Sequence, residues 1–402
     1  MRARGRTTAW VGVLVAALAA GLAAPGALAV PPVPVHDLPC PDVQLLDRTV
    51  LVGLAPGARL PALPGARAYP GSPQLGLRPL VLPTAADVPA AIATLQAAPG
   101  VRFAERDLGT RASRSPNDPL FRQQWALTAT RVPKAWDRTT GGVLVAVLDS
   151  GVDPSHPDLT GKVRAGGDFV DGDADPSDEQ GHGTAVAGVI AARSNDRTGL
   201  AGASWGATIL AERVLDHDGV GSACTAAVGM VDATDAGALV LNLSLGGPGA
   251  GRCPGVYAYA VDYAADAGVA VVAATGNDAT VDNPTNYPAA CDGVIAVGAT
   301  DRSGGRAFFS SYGPHVDLVA PGQDVLVLDR EGAGDYGWAS GSGTSFAAPL
   351  VAGVAALVLA RTPGLTPAQL EQRLVTTAKD LGKKGRDDGT GAGLLDAARA
   401  VG

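Results

Sequence analysis

The chain has 402 residues, 46% of them hydrophobic and 17% charged, with 54 glycines and 30 prolines. That balance excludes a coiled coil, a collagen and a wholly disordered chain, because a large apolar core is available. A net charge of −8 argues against a general nucleic-acid binder, and the charge is uneven, with +4 over residues 1–112 and −12 over the remainder. Aromatics are only 4%, so the core is built mainly from Ala, Val and Leu. Of 39 acidic residues only five are Glu, and Asp suits turns, caps and oxygen-ligand loops.

Arg2, Arg4 and Arg6 precede an apolar run from Ala9 to about Leu22, and Ala27-Leu28-Ala29 supplies a small-x-small cleavage pattern. Residues 1–29 therefore read as a secretory signal, which implies an extracellular product. Secretion permits disulfides among Cys40, Cys224, Cys253 and Cys291. Cys253 and Cys291 flank a helix–strand unit and are placed to staple it. Cys224, near a helix start, reads as a buried free thiol, and any pairing of Cys40 and Cys224 stays open.

A Pro-rich linker, Val30–Pro41, comes next. Thr49–Leu54 reads as a strand, Ala85–Ala98 as a helix stopped by Pro99-Gly100, and Val101–Glu105 as a half-buried strand. Together they predict a small α+β unit over about residues 46–110, followed by an exposed polar linker, Arg111–Asp118. Beyond it the apolar runs Val143–Leu148, Ala207–Val214, Ala238–Leu243, Val269–Ala274 and Val294–Val297 recur. Helical patterns at Gly183–Arg193, Ser222–Ala236 and Val256–Ala267 fall between several of them. Strands apolar throughout, alternating with helices, predict a mostly parallel sheet covered on both faces, a three-layer α/β domain. Sites in such sheets gather at the strands' carboxyl ends. Phe346–Ala360 is 15 residues long and reads as a buried helix, short of the roughly 18 a spanning helix needs. The chain closes on Val401-Gly402 soon after polar Lys383–Asp388, so no membrane anchor is expected once the signal is removed.

Three segments carry the chemistry. Asp149 closes the run Val143–Leu148 and enters Ser150-Gly151, so its carboxylate sits at a strand's carboxyl end. His182, in Gly181-His182-Gly183-Thr184, and Ser345, in Gly343-Thr344-Ser345-Phe346-Ala347-Ala348-Pro349, each stand where a helix begins. Glycines allow close backbone approach, and a helix N-terminus favours developing negative charge. A serine hydroxyl is a weak nucleophile that needs an imidazole to take its proton and a carboxylate to orient that imidazole. Gly202-Ala203-Ser204-Trp205-Gly206 also fits the Gly-x-Ser-x-Gly elbow of α/β-hydrolases. That elbow needs a strand before it and a helix after it, whereas a polar loop precedes this one and a strand pattern follows.

With these three stretches in the order Asp, His, Ser, the chain resembles the subtilisin-like serine proteases, the subtilases, over about residues 116–402. The resemblance implies a secreted serine endopeptidase acting on protein or peptide substrates, with Asp149, His182 and Ser345 as its triad. Val271–Asn277 resembles the segment carrying the oxyanion asparagine, which puts that role on Asn277. Ser244, Leu245 and Gly246, with Ala274, Thr275 and Gly276, resemble the primary specificity pocket. Gly219, Val220 and Gly221 resemble the edge that pairs with an extended substrate. Thr275 stands where a small residue is common, which is expected to narrow the pocket, and Ala185 stands where many relatives carry a second His outside the triad. Residues 30–115, through Gly100–Glu105 above all, resemble the inhibitor-like propeptide of secreted subtilases. This implies an autoprocessed zymogen whose own propeptide inhibits it, cut near Arg111–Pro116, and a monomeric mature enzyme. Asp118, Asp158 and the loop Arg193–Leu200, with Asp196 and Thr198 inside it, resemble a family calcium site. Asp168, Asp173, Asp175 and Ser177 resemble a second calcium site in thermitase-like members. The resemblance also implies a disulfide between Cys253 and Cys291.

Overall fold

The computed structural model describes residues 38–108, 115–249, 251–332 and 335–402. The predicted signal, most of the Pro-rich linker and residues 111–114 of the predicted processing segment lie outside the described residues. The chain divides into two compact units, Met1–Thr110 and Arg111–Gly402.

In the first unit, β1 (Thr49–Leu54), β2 (Arg67–Ala68), β3 (Leu77–Val81), α1 (Val88–Gln96) and β4 (Val101–Arg106) follow in order. The strands form one sheet in the order β2-β3-β1-β4, and every pairing is antiparallel. Val50 and Val52 of β1 are buried with Val88 and Leu95 of α1, so alternate strand residues meet the helix's apolar face. The strands β2 and β3, broken by Pro and Gly in the sequence, are the part that local pattern did not reveal.

The second unit begins with α2 (Trp125–Ala129) and α3 (Val132–Ala135), then β5 (Leu144–Asp149) and β6 (Val163–Asp168). Next come α4 (His182–Ala191), β7 (Thr208–Arg213), α5 (Ala223–Asp235), β8 (Val240–Leu243), β9 (Gly247–Pro248) and α6 (Gly255–Asp266). They are followed by β10 (Ala270–Ala274), β11 (Asn286–Tyr287), β12 (Val294–Thr300) and β13 (Leu318–Pro321). The chain closes with β14 (Val325–Gly332), β15 (Asp335–Gly341), α7 (Thr344–Arg361), α8 (Pro367–Thr377) and α9 (Ala397–Ala400). Seven strands form a parallel sheet in the order β13-β12-β10-β8-β5-β7-β6.

Both faces of this sheet are covered. Val145 and Val147 of β5 join the core that contains α4 and α7, while Ala146 and Leu148 join the core of α5 and α6. Period-two alternation therefore buries every residue of β5 after its first, which is why the strand reads as a continuous apolar run. The architecture is the three-layer α/β expected from sequence. The helix α7 is long and apolar enough to pass for a membrane span, but 83% of it is buried as the central core helix. The antiparallel hairpin β14–β15 was not anticipated, because only the first half of β14, Val325–Leu328, is apolar and β15 is polar and glycine-rich.

Cys253 and Cys291 form a disulfide across the start of α6 and the loop before β12, with a Cα–Cα distance of 5.0 Å. Cys224 differs from its expectation. It is exposed in the first turn of α5, because the buried stripe of that helix runs instead through Ala226, Ala227 and Met230.

Candidate active site

Strand order makes the site. From β5 the sheet continues through β7 and β6 on one side and through β8, β10 and β12 on the other. Loops leaving the carboxyl end of β5 and of its neighbours therefore diverge and leave a crevice. Asp149 is the last residue of β5 and is fully buried.

His182 opens α4, and its Nδ1 donates to Oδ1 of Asp149 at 2.7 Å. Close approach of α4 to the loop after β5 depends on Gly183, where an added Cβ would lie 2.0 Å from the Gly151 carbonyl. Burial works to lower the pKa of His182, but the Asp149 carboxylate outweighs it and the net direction is upward.

Ser345 is the second residue of α7. Its Oγ donates to the Ser244 carbonyl at 3.0 Å, and the Ser244 hydroxyl donates to the Ser345 carbonyl at 2.8 Å. Pro349 explains the second bond. Four residues on, where an N–H would close the helix ladder onto Ser345, proline has none, and the freed carbonyl goes to Ser244. The Ser345 hydroxyl thus rests on Ser244 rather than on His182. Such contacts commonly tighten only with substrate in place.

Asn277, exposed just beyond β10, accepts the backbone N–H and the hydroxyl of Thr344 on its Oδ1 at 2.9 and 3.0 Å. Its Nδ2 has no acceptor among the described residues. The amide is thus held by its oxygen beside the start of α7, with its N–H2 unengaged.

An open cleft of about 600 Å3 runs from His182 between two walls. Gly219, Val220 and Gly221 form one, and Ser244, Leu245 and Gly246 the other. Tyr257 and Tyr287, which the sequence did not single out, also line it. Their signal was weak, since lone tyrosines on a helix and a short strand read as core. Ala274, Thr275 and Gly276 are not among the residues that line it, and neither are Asn277 and Ser345. Thr275 is fully buried, with its hydroxyl donating to the Ser311 carbonyl. The alternative nucleophile is excluded by its setting. Ser204 is fully buried, follows α4 and precedes β7, the reverse of an elbow.

The two aspartate clusters differ. In the first, Asp118 accepts the N–H groups of Asn195 and Asp196, and Asp158 Oδ2 accepts those of Leu200 and the Trp338 indole. Asp158 lies against Gly199, where a Cβ would fall 2.0 Å from its carboxylate. Oδ1 of Asp158 is buried with no partner. The carbonyls of Arg193, Thr198 and Leu200 accept no hydrogen bond among the described residues. Burial, opposed in part by the backbone N–H bonds, raises the pKa of Asp118, and the Asp196 charge adds to the rise. Asp158 Oδ1 and the three carbonyls are unspent oxygens of the kind a calcium ion takes. Asp196, in contrast, is paired with Arg193 at 3.1 Å, and its carboxylate does not close into one tight cluster with those of Asp118 and Asp158.

The second cluster fails that test. Asp168 is paired through Oδ2 with the buried Arg213 guanidinium at 2.7 Å, and its Oδ1 accepts two backbone N–H groups. Arg213 also holds Asp171 and Glu179. Asp173 and Asp175 are exposed, and their carboxylates, like Ser177, bond within the loop. No buried oxygen among the four predicted ligands lacks a partner.

An imidazole held on a buried carboxylate beside an open groove, with a serine at the start of a nearby core helix, fits the class of serine endopeptidases. Comparison with known proteins places it further. A model described as the Subtilase family matches residues 140–393. The chain is 41% identical over 305 residues to the thermophilic serine proteinase of Bacillus sp. (strain AK1), covering 74% of this chain and 73% of that protein. It is 41% identical over 273 residues to thermitase of Thermoactinomyces vulgaris, covering 67% of this chain and 94% of that protein. A solved protease from Pseudoalteromonas arctica PAMC 21717 superposes with a TM-score of 0.66 at 34% identity, over 72% of this chain and 99% of that one. The chain belongs to the subtilase family.

Proposed function

We propose that this endopeptidase works through Asp149, His182 and Ser345, by way of an acyl-enzyme. Ser345 Oγ attacks the scissile carbonyl and gives its proton to His182, Asp149 holds the imidazole in the donating tautomer, and His182 returns the proton to the leaving amine. Asn277 Nδ2 and the Ser345 N–H, at a helix N-terminus, receive the oxyanion. One such donor contributes about 3–4 kcal/mol to the transition state. Gly219–Gly221 pairs with the substrate backbone, and the Ser244–Gly246 wall flanks the residue before the cut. The observation that carries this reading is the 2.7 Å bond between a fully buried carboxylate and an imidazole facing the groove.

The same reading covers the rest of the chain. Residues 1–29 export it, residues 30–115 form an inhibitory propeptide removed by the enzyme itself, and residues 116–402 act outside the cell as a monomer. Subtilases commonly bind structural calcium. Here Asp118, Asp158, Asp196 and the carbonyls of Arg193, Thr198 and Leu200 would hold it, tying the start of the catalytic unit to two loops. The second loop, Asp168–Ser177, is left to Arg213.

The test is a fluorophosphonate probe with a casein assay on the processed protein in calcium. Wild type should label and cleave, and Ser345→Ala should do neither and should retain residues up to about 112. Asn277→Ala should lower kcat far more than it changes KM. An active Ser345→Ala protein overturns the reading, as does an inactive Ser204→Ala protein.

A further inference from the structure

Asp178 belongs to no motif singled out in the sequence, yet it is 2% exposed and lies four residues before His182. Its Oδ1 accepts the Ser150 hydroxyl at 2.9 Å and the N–H groups of Gln180 and Gly181 at 3.0 and 2.7 Å. Its Oδ2 accepts the Thr184 N–H at 2.9 Å and the Thr184 hydroxyl at 2.6 Å. Five donors thus converge on one buried carboxylate, far more than a surface aspartate collects. The donors come from two places only. Ser150 follows Asp149 directly, and residues 180–184 surround His182.

Cross-bonds complete the junction. The Ser150 hydroxyl accepts the Gly183 N–H at 3.0 Å, and the Thr184 hydroxyl accepts the Asp153 N–H at 2.9 Å. From the hairpin β14–β15, Arg330 donates to the Asp178 carbonyl and pairs with Asp153 at 3.2 Å.

We propose that Asp178 is a positioning residue of the proteolytic site. Its carboxylate clamps the Asp149 loop to the helix end bearing His182, and it sets a second fixed negative charge, after Asp149, near the imidazolium that forms when Ser345 yields its proton. The proposal rests on the triad reading above. A misplaced catalytic pair costs turnover more than binding, because substrate contacts on the groove walls remain. The charged groups around His182 are Asp149, Asp178, Asp218 across the same cleft, and Arg330 behind Asp178 with the opposing sign. Phe346 presents a neutral ring at 5.8 Å. The Asp178 charge is among the causes that raise the His182 pKa.

Two measurements test it. In the full chain carrying Ser345→Ala, which cannot digest itself, the His182 ring is titrated by NMR with and without Asp178→Asn. Removing the charge should move the titration to lower pH by about half a unit. In the mature enzyme, kcat and KM for a short peptide substrate are followed from pH 5 to 9. Asp178→Asn should lower kcat about tenfold, leave KM within about twofold and carry the acid limb down with the imidazole. Ser150→Ala removes one donor and leaves the charge, so it should lower kcat about threefold without moving the limb. An unmoved titration in Asp178→Asn overturns the proposal, as does an unchanged kcat in Ser150→Ala, which decides the matter even if Asp178→Asn does not fold. Fluorophosphonate labelling of both variants separates these outcomes from failure of the triad itself.

Discussion

The loop 193–200 and the loop 168–177 are both short and aspartate-bearing, yet they are built on opposite principles. The first collects carboxylates from three distant segments, Asp118, Asp158 and Asp196, and leaves Asp158 Oδ1 buried without a partner. The second is held by a buried counter-ion, Arg213 on β7, which reaches Asp168, Asp171 and Glu179 at 2.6–2.7 Å, whereas the first has only the half-exposed Arg193, on Asp196 at 3.1 Å. Acidity alone therefore does not mark a cation site. Asp158 Oδ1 differs in being left without a donor, which is costly for a buried carboxylate oxygen. Asp149 Oδ2 and Glu212 Oε1 share that state, so an unspent acceptor is a condition for a cation site and not its mark.

The largest expected effect breaks the second loop. Arg213→Met should destabilise the catalytic unit by about 3–5 kcal/mol, because it leaves buried Asp168 uncompensated. Urea unfolding of the Ser345→Ala chain reads it. Calcium that rescued this variant in full would mean that the second loop accepts a metal ion in place of the guanidinium.

The first loop should respond to metal. Calcium at one hundred times its Kd should add about 2.7 kcal/mol, and a chelator should remove it. Melting curves of the Ser345→Ala chain in calcium, magnesium and chelator decide, and Asp158→Asn should abolish the calcium effect. Identical curves in all three would dismiss the site.

A smaller and pH-dependent effect is expected at Glu212, which sits beside Arg213 and accepts the Gly167 N–H where β6 is bulged. Burial raises its pKa from 4.5 to about 7, with Oε1 unpartnered. A carboxyl whose folded pKa is raised stabilises fully below its unfolded value, and that stability is lost as pH rises through about 7. Glu212→Gln should therefore gain about 2 kcal/mol over the parent at pH 9 and nothing at pH 4.5. An equal gain at both pH values would exclude titration as the cause.

The smallest effect sharpens the contrast. Asp175→Asn in the second loop should change stability by no more than about 0.5 kcal/mol with or without calcium, because its bonds are local and exposed. A calcium-dependent loss at Asp175 would make the two loops alike after all.

Much of this was legible in the sequence because its physics is local. The five apolar runs and three helical patterns of the second unit all formed, since a strand buried on both faces must be apolar at every position. Asp149, His182 and Ser345 stand at element ends marked by neighbouring glycines, and such punctuation survives in one dimension. The hairpin β14–β15 and the strand β3 were not legible, because their stability comes from partners and not from their own period.

The sequence by itself determined the layer architecture, the order of the chemical residues and the two aspartate-bearing loops. Only the tertiary structure decided which acceptors are spent. Whether Asp168 meets a guanidinium depends on the alignment of β6 with β7, where it pairs with Arg213 in register. Whether Ser345 meets Ser244 depends on a carbonyl that Pro349 leaves free. Whether Asp178 is a bystander or a clamp depends on Ser150, 28 residues away, arriving within 2.9 Å. Hydrogen bonds and ion pairs act over about 3 Å, and these three pairs lie 28, 45 and 101 residues apart, so no local pattern contains them.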